Sequence, residues 1–315
     1  MSQRIERAPS TLRVPRRTMS RRARREALDG YLMLLPTLLG VTIFFAVPLG
    51  ISLYLSLTNA RLFGAARFVG LDNYLRALSD RTFYQALANT FLFTIGAMLL
   101  SIPPALGLAI LLNQQIRGRA FFRGLFFLPV VASVVGVSLV WRYLLNYDFG
   151  YVNYVLSLLG LERRAWLTDA STALWSIIVV VAWRTIGYNL VIFLAGLQGI
   201  PRQLYEAASI DGANRWQQFR SITVPMLSPT TFFIVVTTLI NCLQVFNEPY
   251  ALGWTRSNSA GPADSMLTIV LYLYREGFIA TRMGYASALA WLLFAMIMVF
   301  TVIQFRVSNR WVNYD

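Results

Sequence analysis

The sequence predicts an all-α integral membrane protein with six membrane-spanning helices and both termini on the cytoplasmic side. Three observations carry that expectation. Hydrophobic residues make up 57% of the 315 and charged ones only 13%, against about 25% charged in a soluble domain. Six apolar runs each reach the roughly 20 residues that a helix needs to cross a bilayer. The arginines, finally, gather in one set of connecting segments.

Taken in order, residues 1–29 read as a cytoplasmic tail, with nine arginines in the first 25 positions. Such a tail suits an anionic lipid surface better than nucleic acid, although the net charge is +14. Residues 30–315 read as the membrane domain. Its spans fall at about Tyr31–Leu57, Phe91–Leu112, Phe122–Leu145, Ala173–Leu197, Thr230–Tyr250 and Gly284–Phe305. The first is far longer than the ~7–15-residue core of a cleavable signal peptide, so it reads as a retained anchor. A seventh candidate, "MLTIVLYLY" (Met266–Tyr274), is too short to span and runs into Arg275, Glu276 and Arg282. With the N-terminus inside, seventeen arginines lie on the cytoplasmic side and nine outside, while Arg142 and Arg184 fall within spans. The outer loops, about Thr58–Thr90, Asn146–Thr172 and Ala251–Met283, are long enough to shape a docking surface but not to form domains.

Composition argues against catalysis. The 28 basic residues are all Arg and His is absent, which removes the usual neutral-pH acid–base group and the commonest metal ligand. Without Lys a Walker-type phosphate loop cannot occur, and without His neither can a helical zinc-protease motif. Cys242 is the lone cysteine, so no intrachain disulfide or cysteine-based zinc site is possible. The expectation is no catalytic residue, no metal and no cofactor bound by this chain.

Polar residues inside spans mark function by default. In the fourth span, "VVVAWRTIGYNLVIF", Arg184 lies eleven residues past Ala173, about 16 Å deep and near the midplane. It shares a helical face with Tyr188, and Thr185 borders that face. In the fifth span, "TTLINCLQVFNEPYALG", Asn241, Gln244 and Glu248 fall on one face. The two faces suggest a hydrated solute pathway; hydrogen bonds that glue helices together are the plainer alternative. An acidic partner for Arg184 is not evident, because a continuous fifth helix carries Glu248 much nearer the outer surface. Pro103, Pro104 and Pro129 are candidates for kinks around such a cavity.

The remaining feature is "EAASIDGANRWQQFRSITVP" (Glu206–Pro225), a polar island between apolar runs. Pro201 suits a first helical turn, Gly212 suits a terminator that adopts positive φ, and Pro225 with Pro229 closes a second short helix. The spacing predicts a helix-turn-helix on the cytoplasmic face, in which Ala207 and Ala208 permit close approach and Glu206 and Asp211 supply carboxylates. Residue chemistry alone leaves a lipid-resting connector and a partner-docking segment nearly balanced.

This segment closely resembles the EAA loop of permease subunits in binding-protein-dependent ABC importers, whose pattern runs EAA, a Gly six residues after the Glu, then I-x-x-P. Glu206-Ala207-Ala208, Asp211-Gly212-Ala213, Phe219, Ile222, Pro225 and Pro229 match. "FVGLDNYLRAL", "FFRGLFFLPVV" and "MGYASALAWLLF" are similar to the carbohydrate-uptake, maltose-type first-permease group. The resemblance implies a type I ABC importer transmembrane domain with its coupling loop at about 198–229. It implies that Glu206, Ala207, Ala208, Asp211 and Gly212 engage or shape the contact with a separate ATPase subunit, which binds the ATP. It also implies a second homologous permease, two ATPase subunits and an extracytoplasmic solute-binding protein in a bacterial or archaeal inner membrane. The implied solute pocket lies on Trp183–Asn189 and Asn241–Glu248, hence Arg184, Thr185, Tyr188, Asn241, Gln244 and Glu248. Arg184 departs from the small or apolar residues of maltose-type permeases. The implied cargo is a sugar or oligosaccharide, with a polyol or glycerol phosphate as the alternative. An ion-coupled secondary transporter and a membrane scaffold or enzyme are the rival classes.

Overall fold

The computed structural model describes residues 21–114, 117–255 and 258–308. The stretch 1–20, which holds most of the expected Arg-rich tail, lies outside the described residues, as do Arg256 and Arg310. The chain divides into two units, residues 1–52 and 53–315. The described residues of the first are helical: α1 (Arg21–Val41) passes through a π turn at Thr42–Ala46 into α2 (Val47–Ser56). Leu28–Ser56 is long and apolar enough to cross a membrane, and Met33, Phe44 and Phe45 along it are exposed. A helix that is apolar all round fits a lipid environment.

In the second unit, α3 (Asp72–Ser79) precedes the long α4 (Arg81–Asn113), which continues through Pro103 and Pro104. There follow α5 (Arg119–Val131), α6 (Val134–Leu144), α7 (Tyr151–Leu158), α8 (Ala170–Gly199), α9 (Arg202–Ile210) and α10 (Arg215–Gln218). A π turn at Phe219–Thr223 leads to α11 (Val224–Met226) and α12 (Ser228–Leu243). The described residues end with α13 (Asn247–Gly253), α14 (Ile269–Tyr274), a π turn at Arg275–Ile279 and α15 (Met283–Ser308). Among the described residues four helices are long and apolar enough to span, and up to six spans result if each of two bent pairs counts as one.

Two of the six runs are bent rather than straight, one of them beside the kink candidate Pro129. The third run breaks at Ala132–Ser133, where both residues are extended, and α5 meets α6 at 98°. Pro129 removes one helical hydrogen bond, and the β-branched, serine-containing run that follows holds a helix weakly. Arg142 consequently sits in the last turn of a short helix, exposed, rather than inside a straight span. The fifth run starts from a 62° bend after Met226 and leaves the helix after Leu243, three residues before α13 begins.

Two helices form the spine. Gly96 of α4 lies against Ile178 and Trp175 of α8. Farther along, Ala105, Ala109 and Leu112 share a buried cluster with Leu190, Phe193 and Leu197, so the two helices run side by side in one direction. Small residues permit this closeness, as is usual between membrane helices. Gly187 of α8 is a tight case: a Cβ there would stand 2.1 Å from the Phe126 carbonyl oxygen of α5.

The rejected seventh run does not span, as expected, but it is a core element rather than a surface loop. Met266, Leu267, Ile269 and Leu271 are fully buried, and the Ile269 N–H donates to Thr90 Oγ1 (2.9 Å). Asn89 donates to the carbonyls of Asp264 and Leu267 (3.0 and 3.1 Å). A carboxylate closes this end of the bundle. Asp80 caps α4 by accepting from the Thr82 N–H (2.8 Å), and its Oδ2 accepts the Tyr272 and Tyr285 hydroxyls, the latter at 2.8 Å. Arg76 lies over the Tyr285 ring and Arg275 over the Tyr272 ring. Burial alone would raise the Asp80 carboxyl, but the hydrogen bonds from Tyr272, Tyr285 and Thr82 outweigh it and hold it below its ordinary value.

Asp80→Ala removes a helix cap and two phenol hydrogen bonds, a loss of about 2 kcal/mol at neutral pH, read as a lower melting temperature of the purified complex. Because the folded-state pKa is depressed, the native contribution is fully present above the ordinary value of 3.8 and disappears as pH falls through the folded value. The gap between variant and native protein therefore closes only in strong acid. Gly187→Ala pushes α5 off α8 and lowers stability by about 1–3 kcal/mol, measured by the same melt.

Candidate functional site

The Glu206–Pro225 segment folds as its punctuation dictates. Helix α9 ends in a Schellman turn: the Ala213 N–H reaches the Ala208 carbonyl (2.9 Å) and the Gly212 N–H reaches that of Ser209 (3.2 Å). Gly212 has φ +80°, a conformation that costs glycine little. Asn214 then opens α10 with a reciprocal capping box to Gln217, which satisfies two otherwise orphaned N–H groups. The Gln218 amide donates to Ser209 Oγ (2.9 Å) and the Ala213 carbonyl (3.2 Å), locking the two short helices together. A Tyr205–Thr223 hydroxyl pair at 2.9 Å ties the hairpin to the segment that enters α12. Glu206, Ala207, Asp211 and Gly212 are exposed and Ala208 half-buried. Ile210 is 87% and Trp216 67% exposed. Two large apolar side chains thus stand out of a hydrogen-bonded frame.

The second locus is a cavity of about 410 Å³ between α4, α5, α8 and the α12–α13 junction. Arg184, Thr185, Tyr188, Asn241, Gln244 and Glu248, the six residues expected from spacing, all line it, with Thr238, Phe246 and Asn247 among the others. Arg184 donates through one terminal nitrogen to Glu248 Oε1 at 2.7 Å. The side chains are 27% and 7% exposed respectively, and the Arg184 Nε is buried without a partner. The guanidinium is therefore neutralised yet keeps an unused donor at the cavity.

This pairing corrects the expectation that Glu248 lies too near the surface to serve Arg184. A continuous helix would carry Glu248 past the cavity. Instead α12 stops at Leu243, and Gln244–Phe246 leads into α13, on whose first turn Glu248 sits. Pro249 was the available signal, because proline is favoured in a first turn and disfavoured in a helix interior. Phe246 escaped the sequence reading because it lies off the face that a straight helix would present, whereas Thr238 and Asn247, three residues from Asn241 and Gln244, were legible from the same spacing.

The fold is a helical bundle with a polar cavity midway along α8 and an exposed helical hairpin, the arrangement of a transporter subunit. The family of binding-protein-dependent transport system inner membrane components matches residues 82–313, and the chain belongs to it. It is 37% identical to the probable ABC transporter permease protein YesP of Bacillus subtilis over 94% of this chain and 95% of that protein. It is 36% identical to the arabinooligosaccharides transport system permease protein AraP of the same organism, covering 89% and 88%. Among solved structures, it resembles a bacterial ABC transporter that imports the acidic polysaccharide alginate, with TM-score 0.79, 27% identity and coverage of 91% and 96%. The chain is thus an inner-membrane permease component of an ABC importer.

Each half of the ion pair depends on the other. Glu248→Ala strands a cation and Arg184→Ala strands a carboxylate, and each single change lowers the melting temperature of the complex by the equivalent of about 3 kcal/mol. The double variant Arg184→Met with Glu248→Leu restores stability to within about 1 kcal/mol of native, so a double-mutant cycle gives a coupling well above the threshold of independent sites.

Proposed function

We propose that the cavity passes a neutral sugar or oligosaccharide, delivered by an extracytoplasmic binding protein, and that the exposed hairpin transmits the work of a separate ATPase. The observation that carries this reading is the self-neutralised cation. Arg184 is already bound by Glu248, so the cavity presents hydroxyl, amide and guanidinium donors without net charge from this pair. Hydroxyl-rich, uncharged cargo matches such a surface. A glycerol phosphate would have to compete with Glu248 for the same guanidinium.

In this reading the complex holds a second homologous permease and two ATPase subunits, which bind and hydrolyse the ATP, and both termini of this chain face the cytoplasm. The excess of arginine on that side supports the orientation. Glu206, Ala207, Ala208, Asp211 and Gly212 form the contact with the ATPase, and the exposed Ile210 and Trp216 beside them supply apolar area for it. The relative named for arabinooligosaccharides supports the class of cargo.

The decisive measurement is ATPase stimulation of the reconstituted complex by its binding protein across neutral sugars, polyols and glycerol phosphates. Stimulation by neutral sugars is expected; stimulation by glycerol phosphate alone would overturn the neutral-cargo reading. Gly212→Pro, incompatible with φ +80° because proline is confined near −65°, and Glu206→Lys both abolish coupled uptake while the subunit still inserts. Full uptake by both variants would sink the coupling role of the hairpin.

A further inference from the structure

A larger cavity, about 750 Å³, lies at the other end of α13. Its walls come from the end of α6, the loops on either side of α7 and the segment after α13, and they include Arg142, Tyr147, Asp148, Trp166, Thr168 and Trp254. This is a carbohydrate-like lining: flat aromatic faces beside a cation, a carboxylate and a hydroxyl. Neither Arg142 nor Asp148 is engaged in an ion pair among the described residues, so both keep hydrogen-bonding capacity. Trp166 is fixed in place by its Nε1–H, which donates to Asn153 Oδ1 at 3.0 Å.

The two cavities border opposite ends of α13. Phe246 and Glu248 line the first, and Leu252 and Trp254 line the second. From Glu248 to Trp254 is about 9 Å along a helix axis. Aromatic rings connect them: Phe246 stacks on Tyr250 (5.3 Å), Tyr250 stacks on Trp254 (5.7 Å), and Tyr274 packs edge-on or tilted against all three. Aromatic side chains offer apolar area with polar tips, which suits the two-faced surface of a sugar ring.

We propose that the second cavity is a sugar-binding subsite that holds one end of an oligosaccharide while the other end occupies the Arg184–Glu248 cavity, the two being bordered by the two ends of α13. The cargo is accordingly a chain of several sugar residues. This rests on the reading of the first cavity as a sugar pathway and adds chain length to it.

The test uses the complete reconstituted importer with its binding protein and the arabino-, malto- and cello-oligosaccharide series from monosaccharide to pentasaccharide. Comparing variant with native complex at each length cancels the length preference of the binding protein itself. Trp254→Ala is expected to lower the ratio of long-chain to short-chain transport by about five- to tenfold, and Trp254→Phe, which keeps a ring, restores most of it. Should Trp254→Ala fail to assemble, Asp148→Ala, at an exposed position outside any ion pair, carries the same length comparison. An equal loss at every length points to a binding-protein contact and overturns the proposal, as does an unchanged ratio in an assembled variant. If the native complex transports no neutral sugar of any length, the reading of the first cavity fails, an outcome separate from a flat length profile in a complex that does transport sugars.

Discussion

A guanidinium in an apolar helix at mid-depth must find a carboxylate, because an unpaired charge is heavily penalised there. Arg184 meets this demand with Glu248, and much of the local architecture follows. To reach the level of Arg184 the fifth apolar run has to give up helical continuity after Leu243. The interruption turns Gln244 and Asn247 toward the cavity, and the new helix α13 packs against α6. The polar lining and the junction both follow from one electrostatic requirement met by one break.

The second constraint is steric. Alanines and glycines along α4, with Gly187 and Gly196 of α8, let backbones approach where larger side chains could not fit. The resulting spine joins two separate buried clusters, one around α14 and Asp80 and the other near the hairpin. Packing of this kind holds helices together where lipid offers no hydrophobic drive to associate them. At the α14 end the Asp80 hydrogen bonds to Tyr272 and Tyr285 bring three elements to one carboxylate.

Much of this was legible in the sequence. The hairpin follows from Gly212 and the flanking prolines, and the cavity residues follow from spacing on two neighbouring runs. What escaped has physical reasons. Hydropathy measures the length of an apolar run, not whether its backbone stays helical, so the 98° bend after Val131 and the stop after Leu243 were invisible to it. Each π turn inserts an extra residue into the helical repeat, and the three at Thr42–Ala46, Phe219–Thr223 and Arg275–Ile279 shift the phase on which face assignments depend. The stretch Met266–Tyr274 reads as apolar because it is buried in protein, a situation that a hydropathy profile cannot distinguish from burial in lipid.

The hairpin and the cavity are joined by two arms. From Arg184 to Gly199 the link is one uninterrupted helix, about 22 Å long. On the return side, the path from Gln218 to Asn241 crosses a π turn, a three-residue helix and a 62° bend. The first arm runs without a break, whereas the second changes direction on its way. The two walls of the cavity are thus tied to the hairpin by backbones of different continuity.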